Sequence, residues 1–363
     1  MIGKTLFGYI AWRFTKSLAA MMLLLLFLIV TVEFIEGLRR LDGANGVSTG
    51  QVYLAALYTA PFFIEKAFPF ACLFASMITL AQLNQKMELV VARAAGISVW
   101  QFLMPIAFAS VVIGIFASTV YNPLALSFYN QSLDMKADFF GKGSRSSLGK
   151  TNDLWIRQDD GDGSTVIGSK LARKSGAMLD GVKMIRFDSE GNVYERIEAD
   201  HAIFRGKEWL LIKAVITDDK QQQLRRDTFS VPTKLSKEYL LGATGEADFV
   251  DFWSLQNAAE TVRLSGLNHL PYLVQFQSLL ALPLVLVAMV LIASTVSLRF
   301  VRSGQAGRLI LGGIMGGFVL YAATRLVTSL GNNGIVPPVV AVWSPSLVAI
   351  LFGMSILLYQ EDG

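Results

Sequence analysis

The sequence has 363 residues, of which 53% are hydrophobic and 17% charged, with a net charge of +4. Soluble domains carry about a quarter charged residues, so this composition excludes a soluble enzyme, a disordered chain and a nucleic-acid binder. Residues 130–263 hold 41 of the 60 charged side chains, which predicts that this segment lies in water and that its flanks lie in lipid.

Six stretches have the roughly 20 apolar residues that a bilayer span needs. Their approximate bounds are 17–38, 61–83, 97–121, 271–298, 309–330 and 336–359. Arg325 interrupts the fifth stretch near one end. Ahead of the first stretch, one helical face is apolar, which predicts a short interfacial helix on the inner leaflet. The residues of this face are Ile2, Leu6, Ile10, Phe14 and Ser17.

The charges of the short loops predict the orientation. With six spans, eight basic and three acidic loop residues fall on one side, which the positive-inside rule places in the cytoplasm. Both termini are then cytoplasmic. The polar segment lies on the opposite side, which is the periplasm if the membrane is a bacterial inner membrane.

Four charged residues, Glu33, Glu36, Arg39 and Arg40, cluster at the outer end of the first span. Snorkelling explains the two arginines. Glu33 lies deeper, where a carboxylate has to face protein, water or a polar ligand.

The loop between the second and third spans predicts a helix over 84–96. It has strong helix formers, a terminal Gly96 and an apolar face made of Met87, Val90, Val91 and Ala94. This helix is either a solvated or interfacial connector, or it docks in a groove of a soluble partner with Glu88 and Arg93 on the rim.

The polar segment changes to a period of two between 150 and 235. Short apolar runs at 154–156, 165–167, 182–187 and 209–212 alternate with Asp-, Gly- and Asn-rich turns and predict strands. Strands without intervening helices favour an antiparallel sandwich, a jelly roll or an open barrel. Residues 254–264 then predict a helix that leads back to the membrane.

The fifth span contains Gly312-Gly313-Ile314-Met315-Gly316-Gly317, two overlapping Gly-x-x-x-Gly pairs. Such pairs allow close helix approach. The contact is either packing within the chain, or a contact with a second membrane subunit or a movable gate.

No catalytic constellation can be assembled. His201 is predicted on a sheet surface and His269 at the membrane edge, and the single Cys72 permits no disulfide framework. The segment Gly149-Lys150-Thr151 matches the last three positions of a phosphate-binding loop. The first position of that motif has to be glycine, and Ser144 stands there. The chain is therefore predicted to be neither an enzyme nor an ATPase.

Several motifs occur together in chain order. They are Phe34-x-x-x-Leu38-Arg39-Arg40, Gln85-x-x-Glu88-Leu89-Val90-Val91-x-x-x-Ala95-Gly96, Leu264-Ser265-Gly266-Leu267, Tyr272, Pro283, Gly313-x-x-x-Gly317-Phe318-Val319-x-Tyr321 and Pro337-Pro338. With these motifs the chain resembles the LptF/LptG family of lipopolysaccharide export permeases. Glu-Leu-Val-Val at 88–91 favours the LptG branch over the paralogous LptF branch.

The resemblance implies an α-helical membrane protein with six transmembrane helices and an inserted periplasmic all-β, jellyroll-like domain. The implied parts are 1–129 with three helices, 130–263 with the β-jellyroll, and 264–363 with three helices. It also implies an ABC transporter in which LptF pairs with this chain, two LptB ATPases lie below and LptC lies beside. Lipopolysaccharide would pass through the β domains toward LptA, with ATP and Mg²⁺ bound by the partner ATPase and no cofactor in this chain.

The resemblance further implies roles for individual residues. Coupling to the ATPase falls on Glu88, Leu89, Val90, Val91, Arg93 and Gly96. Arg39 and Arg40 would meet lipid A phosphates beside Glu33 and Glu36. Glu33 departs from family members that carry a basic residue there, and a carboxylate repels phosphate. Spans one and five would form lateral gates facing LptF, with packing at Gly313, Gly317 and Tyr321.

An apolar inner surface of the β domain could carry acyl chains without any catalytic group, and Ile185 is predicted to face inward. Two other classes stay open. One is a sensor that signals through the 84–96 helix, although six spans without a signalling domain disfavour it. The other is a lipid-modifying enzyme, for which only Glu33 and Glu36 would be available.

Overall fold

The computed structural model describes residues 4–40, 48–139, 154–159, 163–173, 178–218, 222–233, 235, 247–264, 268–297 and 306–362. These residues form nine α-helices and one six-stranded antiparallel sheet, which is inserted between the fifth and sixth helices. The helices are α1 (Lys4–Arg40), α2 (Thr49–Gln85), α3 (Glu88–Ala94), α4 (Val99–Phe116), α5 (Asn122–Phe139), α6 (Phe252–Leu264), α7 (Leu270–Ser297), α8 (Ala306–Asn332) and α9 (Pro338–Asp362).

Six helical stretches of the described chain are long and apolar enough to cross a membrane. They are α1, α2, α4 continued into α5, α7, α8 and α9, which match the six predicted spans. The predicted fold class, membrane helices with an inserted β domain, is confirmed.

Helix α1 is one continuous helix, so the prediction of a separate interfacial helix ahead of the first span is wrong. Ile10 and Phe14 are fully buried in one apolar cluster with Leu89 of α3 and Phe102 of α4. The apolar face at the start of α1 therefore packs against the rest of the protein and extends the first span at its N-terminal end.

A π-helical turn, Ala117–Tyr121, joins α4 to α5. Pro123 lacks the N–H that would bond to the carbonyl of Thr119 in a regular α-helix, and this carbonyl makes a contact with another helix. It accepts a hydrogen bond of 3.0 Å from Nε1 of Trp253 in α6. The π turn thus gives α6, the helix that follows the β domain, a point of attachment to the membrane helices.

The sheet consists of β1 (Leu154–Asp159), β2 (Gly163–Arg173), β3 (Met178–Asp188), β4 (Val193–Phe204), β5 (Glu208–Asp218) and β6 (Gln223–Pro232). Each strand pairs antiparallel with the next, so the sheet order follows the chain. The four predicted apolar runs lie within β1, β2, β3 and β5, and His201, which was predicted on a sheet surface, lies in β4. Thr233, directly after β6, donates a hydrogen bond to Gln158 of β1, so the sheet curls until its two edge strands meet.

The inner face of the curled sheet carries the core of the β domain, and all six strands contribute to it. Along β3 the buried residues Leu179 and Val182 are three positions apart, so the face cannot follow simple alternation. Gly181 between them has φ +60°, a conformation that glycine adopts readily. This irregularity shifts the alternation of side chains between the two faces by one residue. On β5, Lys213 has φ +54° and lies between Leu211 and Ala214 of the same core. It shifts the alternation of side chains by one residue in the same way.

Ile185 lies on the outer face, so the prediction that it points inward is wrong. Val182 and Met184 are 1% and 0% exposed in the β-domain core, and side chains alternate between faces along a strand. Ile185 stands opposite the exposed Arg196 of β4. Both faces of this part of β3 carry apolar residues, so the sequence alone does not distinguish them.

Candidate functional site

The predicted loop helix is present as α3, which is shorter than the predicted range 84–96. Residues 84 and 85 belong to α2, and α3 runs from Glu88 to Ala94 before Gly96 turns the chain with φ +81°. Leu89 anchors α3 in the apolar core, with 4% of its surface exposed. Met87, the residue directly before α3, and Val91 within it are 56% and 68% exposed, so this segment presents an apolar surface away from the protein.

Glu88, which was predicted on the rim of a docking surface, contacts α1. Nη1 of Arg13 lies 3.0 and 3.2 Å from the two carboxylate oxygens of Glu88, and the Tyr9 hydroxyl lies within 3.3 Å of both. Arg13 also donates to the Tyr9 hydroxyl at 2.8 Å. Sequence reasoning counted Arg13 only among the eight basic loop residues that predict the orientation, and it gave Tyr9 no role, because their partner is 75 or more positions away.

The charges at the C-terminal end of α1 are partly neutralised. Lys136 of α5 donates to Glu33 at 3.0 Å, and both side chains are mostly buried. Arg39 is 79% exposed and reaches Glu36 at 3.8 Å. The side chain of Arg40 lies outside the described part of the structure. Glu33 therefore faces protein, and Lys136 is a member of this cluster that the sequence did not indicate.

A buried carboxylate joins α2, α5 and α6. Glu65 is 6% exposed, and its Oε1 accepts a hydrogen bond of 2.9 Å from the amide of Asn122. The carbonyl oxygen of that amide accepts from the backbone N–H of Phe252 at the start of α6. Oε2 of Glu65 has no hydrogen-bond partner among the described residues. The adjacent Lys66 pairs with Asp248 at 3.2 Å.

Sequence reasoning missed this junction, although a signal was available. Glu65 and Lys66 lie inside the predicted second span, and an ionisable residue within a span is a candidate functional residue by default.

The glycine stripe of α8 packs against α2 within the chain. A Cβ on Gly313 would stand 2.9 Å from Cε of Met77, and one on Gly317 would stand 2.5 Å from Cδ2 of Leu73. The ring of Tyr321 continues this contact, 5.2 Å from the ring of Phe70. Close packing inside the monomer is therefore what these two glycines provide.

The other glycine pair of α8 behaves differently. A Cβ on Gly312 would meet nothing within 4 Å, whereas one on Gly316 would stand 3.0 Å from Ile292 of α7. Gly312 thus leaves an open surface.

The described residues contain no group of three His, Cys, Asp or Glu side chains that could hold a metal ion. Nδ1 of His201 lies 2.6 Å from Asp180, its neighbour on β3. The segment around Lys150 lies outside the described residues.

These features define a multi-pass membrane protein with an inserted all-β domain. The family described as lipopolysaccharide export system permease LptF/LptG matches residues 8–359. The chain is 23% identical over 364 residues to the lipopolysaccharide export system permease protein LptG of Haemophilus influenzae, covering 96% of each protein. It is 22% identical over 379 residues to LptG of Escherichia coli K12, covering 98% of this chain and 99% of the relative. The chain belongs to the LptF/LptG family of lipopolysaccharide export system permeases.

Proposed function

We propose that this chain is the LptG-type permease subunit of an ABC transporter that extracts lipopolysaccharide from the inner membrane and passes it toward the outer membrane. The family match over nearly the whole chain carries this proposal. Both relatives named above are LptG proteins, and the loop sequence Glu-Leu-Val-Val at 88–91 supports the same branch. ATP hydrolysis, with its Mg²⁺, resides in the partner ATPase LptB.

In this proposal both termini lie in the cytoplasm and the β domain lies in the periplasm. The excess of basic residues in the short loops on the side of the termini supports this orientation. Helix α3 then lies at the cytoplasmic face, where the exposed Val91 and the preceding Met87 suit a groove on LptB. The ion pair between Glu88 and Arg13 would carry movement of α3 into α1.

The lipid path begins at the outer end of α1. Arg39 and Arg40 are the groups proposed to meet lipid A phosphates. Lys136 neutralises Glu33, which removes the repulsion that an unpaired carboxylate would impose on a phosphate. Glu36 lies beside Arg39 at this end.

The path continues over the inner face of the β domain, where Met184 takes the place first given to Ile185. On α8, the packing of Gly313, Gly317 and Tyr321 against α2 positions the helix that would face LptF across a lateral gate. LptC beside the membrane part and LptA beyond the β domain complete the proposed path.

The second candidate is the LptF role in the same transporter, because the family description covers both branches. A mild-detergent pull-down of the tagged protein from its native membrane, with mass spectrometry, distinguishes the two. The proposal expects an ABC ATPase, a six-span paralogue and a single-span β-domain protein, and the sequence of the paralogue assigns each branch. Absence of any ATPase, under conditions that keep other ABC transporters intact, would contradict the proposal.

A further inference from the structure

Arg325 is a cation within a membrane-spanning helix, and none of the roles above uses it. The apolar span of α8 ends at Asn332. Arg325 lies seven residues before this end, about 10 Å along the helix axis. Ionisable residues at such depth are rare and mark the position of a ligand or partner.

The guanidinium of Arg325 is held in place by α8 itself. Its Nε donates to the Tyr321 hydroxyl at 3.1 Å, and its central carbon lies 5.3 Å from the centroid of the Tyr321 ring. That ring packs on Phe70 of α2, so the guanidinium is fixed on the side of α8 that is next to α2.

The two terminal nitrogens of Arg325 remain available. Within the described part of the chain, Tyr321 is the only hydrogen-bonding or charged partner of this exposed side chain. The carboxylate of Asp248 is already paired with Lys66, which lies one helical turn outward from Phe70 on α2. The site therefore carries an uncompensated positive charge among the described side chains.

The surface below Arg325 is apolar. Phe318 and Leu311 precede it by seven and fourteen residues, which is two and four turns, so all three share one side of α8. Phe318 is 55% exposed and Leu311 is 60% exposed. Leu311 is the first residue of the apolar span and lies at its inner end. This side thus has a cation toward the outer end of the span and the apolar Phe318 near its middle, which is the polarity of a lipid in the outer leaflet.

We propose that Arg325, positioned by Tyr321, binds the phosphate of an outer-leaflet lipid whose acyl chains lie along Phe318. A guanidinium suits this ligand because its planar fork matches phosphate oxygens. The inference rests on the proposed orientation and function. The phosphate belongs either to the exported lipopolysaccharide or to a phospholipid, and the experiment separates these sources.

The test measures lipid binding to the purified transporter complex by native mass spectrometry. The probes are bisphosphorylated lipid A, the same lipid with both phosphates removed, and phosphatidylglycerol. Arg325→Gln is compared with Arg325→Lys and with Arg263→Gln. The last variant removes one positive charge from an exposed ion pair with Glu260 in α6.

Arg325→Gln is expected to weaken binding of a phosphorylated lipid about tenfold, because one charge-assisted contact is lost. Binding of the dephosphorylated lipid should stay at the wild-type level. Arg325→Lys should lose less, and Arg263→Gln should lose nothing. A loss with lipid A alone identifies the exported lipid, and an equal loss with phosphatidylglycerol identifies a phospholipid; either supports the proposal.

Equal binding of phosphorylated lipids by Arg325→Gln and the wild type would overturn the proposal. So would release of the paralogous membrane subunit from Arg325→Gln, because Arg325 would then be paired with a carboxylate of that partner. If the wild-type complex fails to export lipopolysaccharide, the proposed function fails, while the phosphatidylglycerol measurement still decides whether Arg325 binds phosphate.

Discussion

Replacing Arg13 by glutamine tests whether α1 holds α3 in place. The substitution removes the hydrogen bonds from one guanidinium nitrogen to Glu88 and the bond from that nitrogen to the Tyr9 hydroxyl. The Arg13 side chain is 15% exposed and that of Glu88 is 32% exposed, so the pair is partly desolvated.

The magnitude follows from these contacts. Hydrogen bonds to charged groups contribute about 1.5–3 kcal/mol when buried, and solvent screening lowers this value for a partly exposed pair. The hydroxyl of Tyr9 can still donate to Glu88. We therefore expect the docking of α3 to weaken by about 1–2 kcal/mol, which corresponds to about 5- to 30-fold more opening.

Hydrogen exchange of residues 88–94 in the purified complex measures this opening. Lys16→Gln is the matched control, because Lys16 is one turn along α1 and its ammonium lies over the Trp12 ring, 5.2 Å from the centroid. Exchange should accelerate in Arg13→Gln and stay unchanged in Lys16→Gln. Lipid export should fall further than ATP hydrolysis. Unchanged exchange in Arg13→Gln would refute the role given to this ion pair.

Substitutions at the buried carboxylate, in the β domain and in α8 have separate expected outcomes. Glu65→Ala leaves the buried Asn122 amide without its acceptor and should cost about 1–3 kcal/mol of stability, whereas Glu65→Gln keeps an acceptor oxygen. Thermal unfolding in detergent compares the two variants, and equal losses of stability would contradict the hydrogen-bond argument. Met184→Asp should stop lipid crosslinking to the β domain while Ile185→Asp permits it, and identical behaviour would contradict the assignment of the two faces. Gly317→Leu overpacks α8 against α2 and should cost about 1–3 kcal/mol of stability, whereas Gly312→Leu should be tolerated; similar melting of the two variants would contradict the packing seen here.

The membrane spans and the β domain were predictable because the pattern of apolar and polar residues in each depends on whether lipid or water surrounds it. A bilayer demands a long apolar helix, and a polar insert with turn residues at short intervals demands strands. The apolar face at the start of α1 was also visible, since Ile10 and Phe14 recur every four residues. The helices that cover this face are known only from the tertiary structure, and their presence made the interfacial-helix prediction wrong.

The charged contacts of the candidate site could not be predicted in the same way. Glu65 meets Asn122 across 57 positions, and Arg13 meets Glu88 across 75 positions. Hydropathy averages also hide single charges, so the second predicted span included Glu65 without assigning it a role. The face of Ile185 depends on the pleat of β3, which Gly181 resets, and no periodicity rule expresses that reset.

The most direct test of the proposed export function is lipid transfer from proteoliposomes that contain the purified complex. The liposomes carry lipopolysaccharide, and a soluble LptA acceptor outside carries a photocrosslinker. The proposal predicts ATP-dependent capture of lipopolysaccharide by the acceptor, and its loss when Val91 on the exposed surface of α3 is replaced by aspartate. Continued ATP hydrolysis by the wild-type complex without any capture would contradict the proposed function.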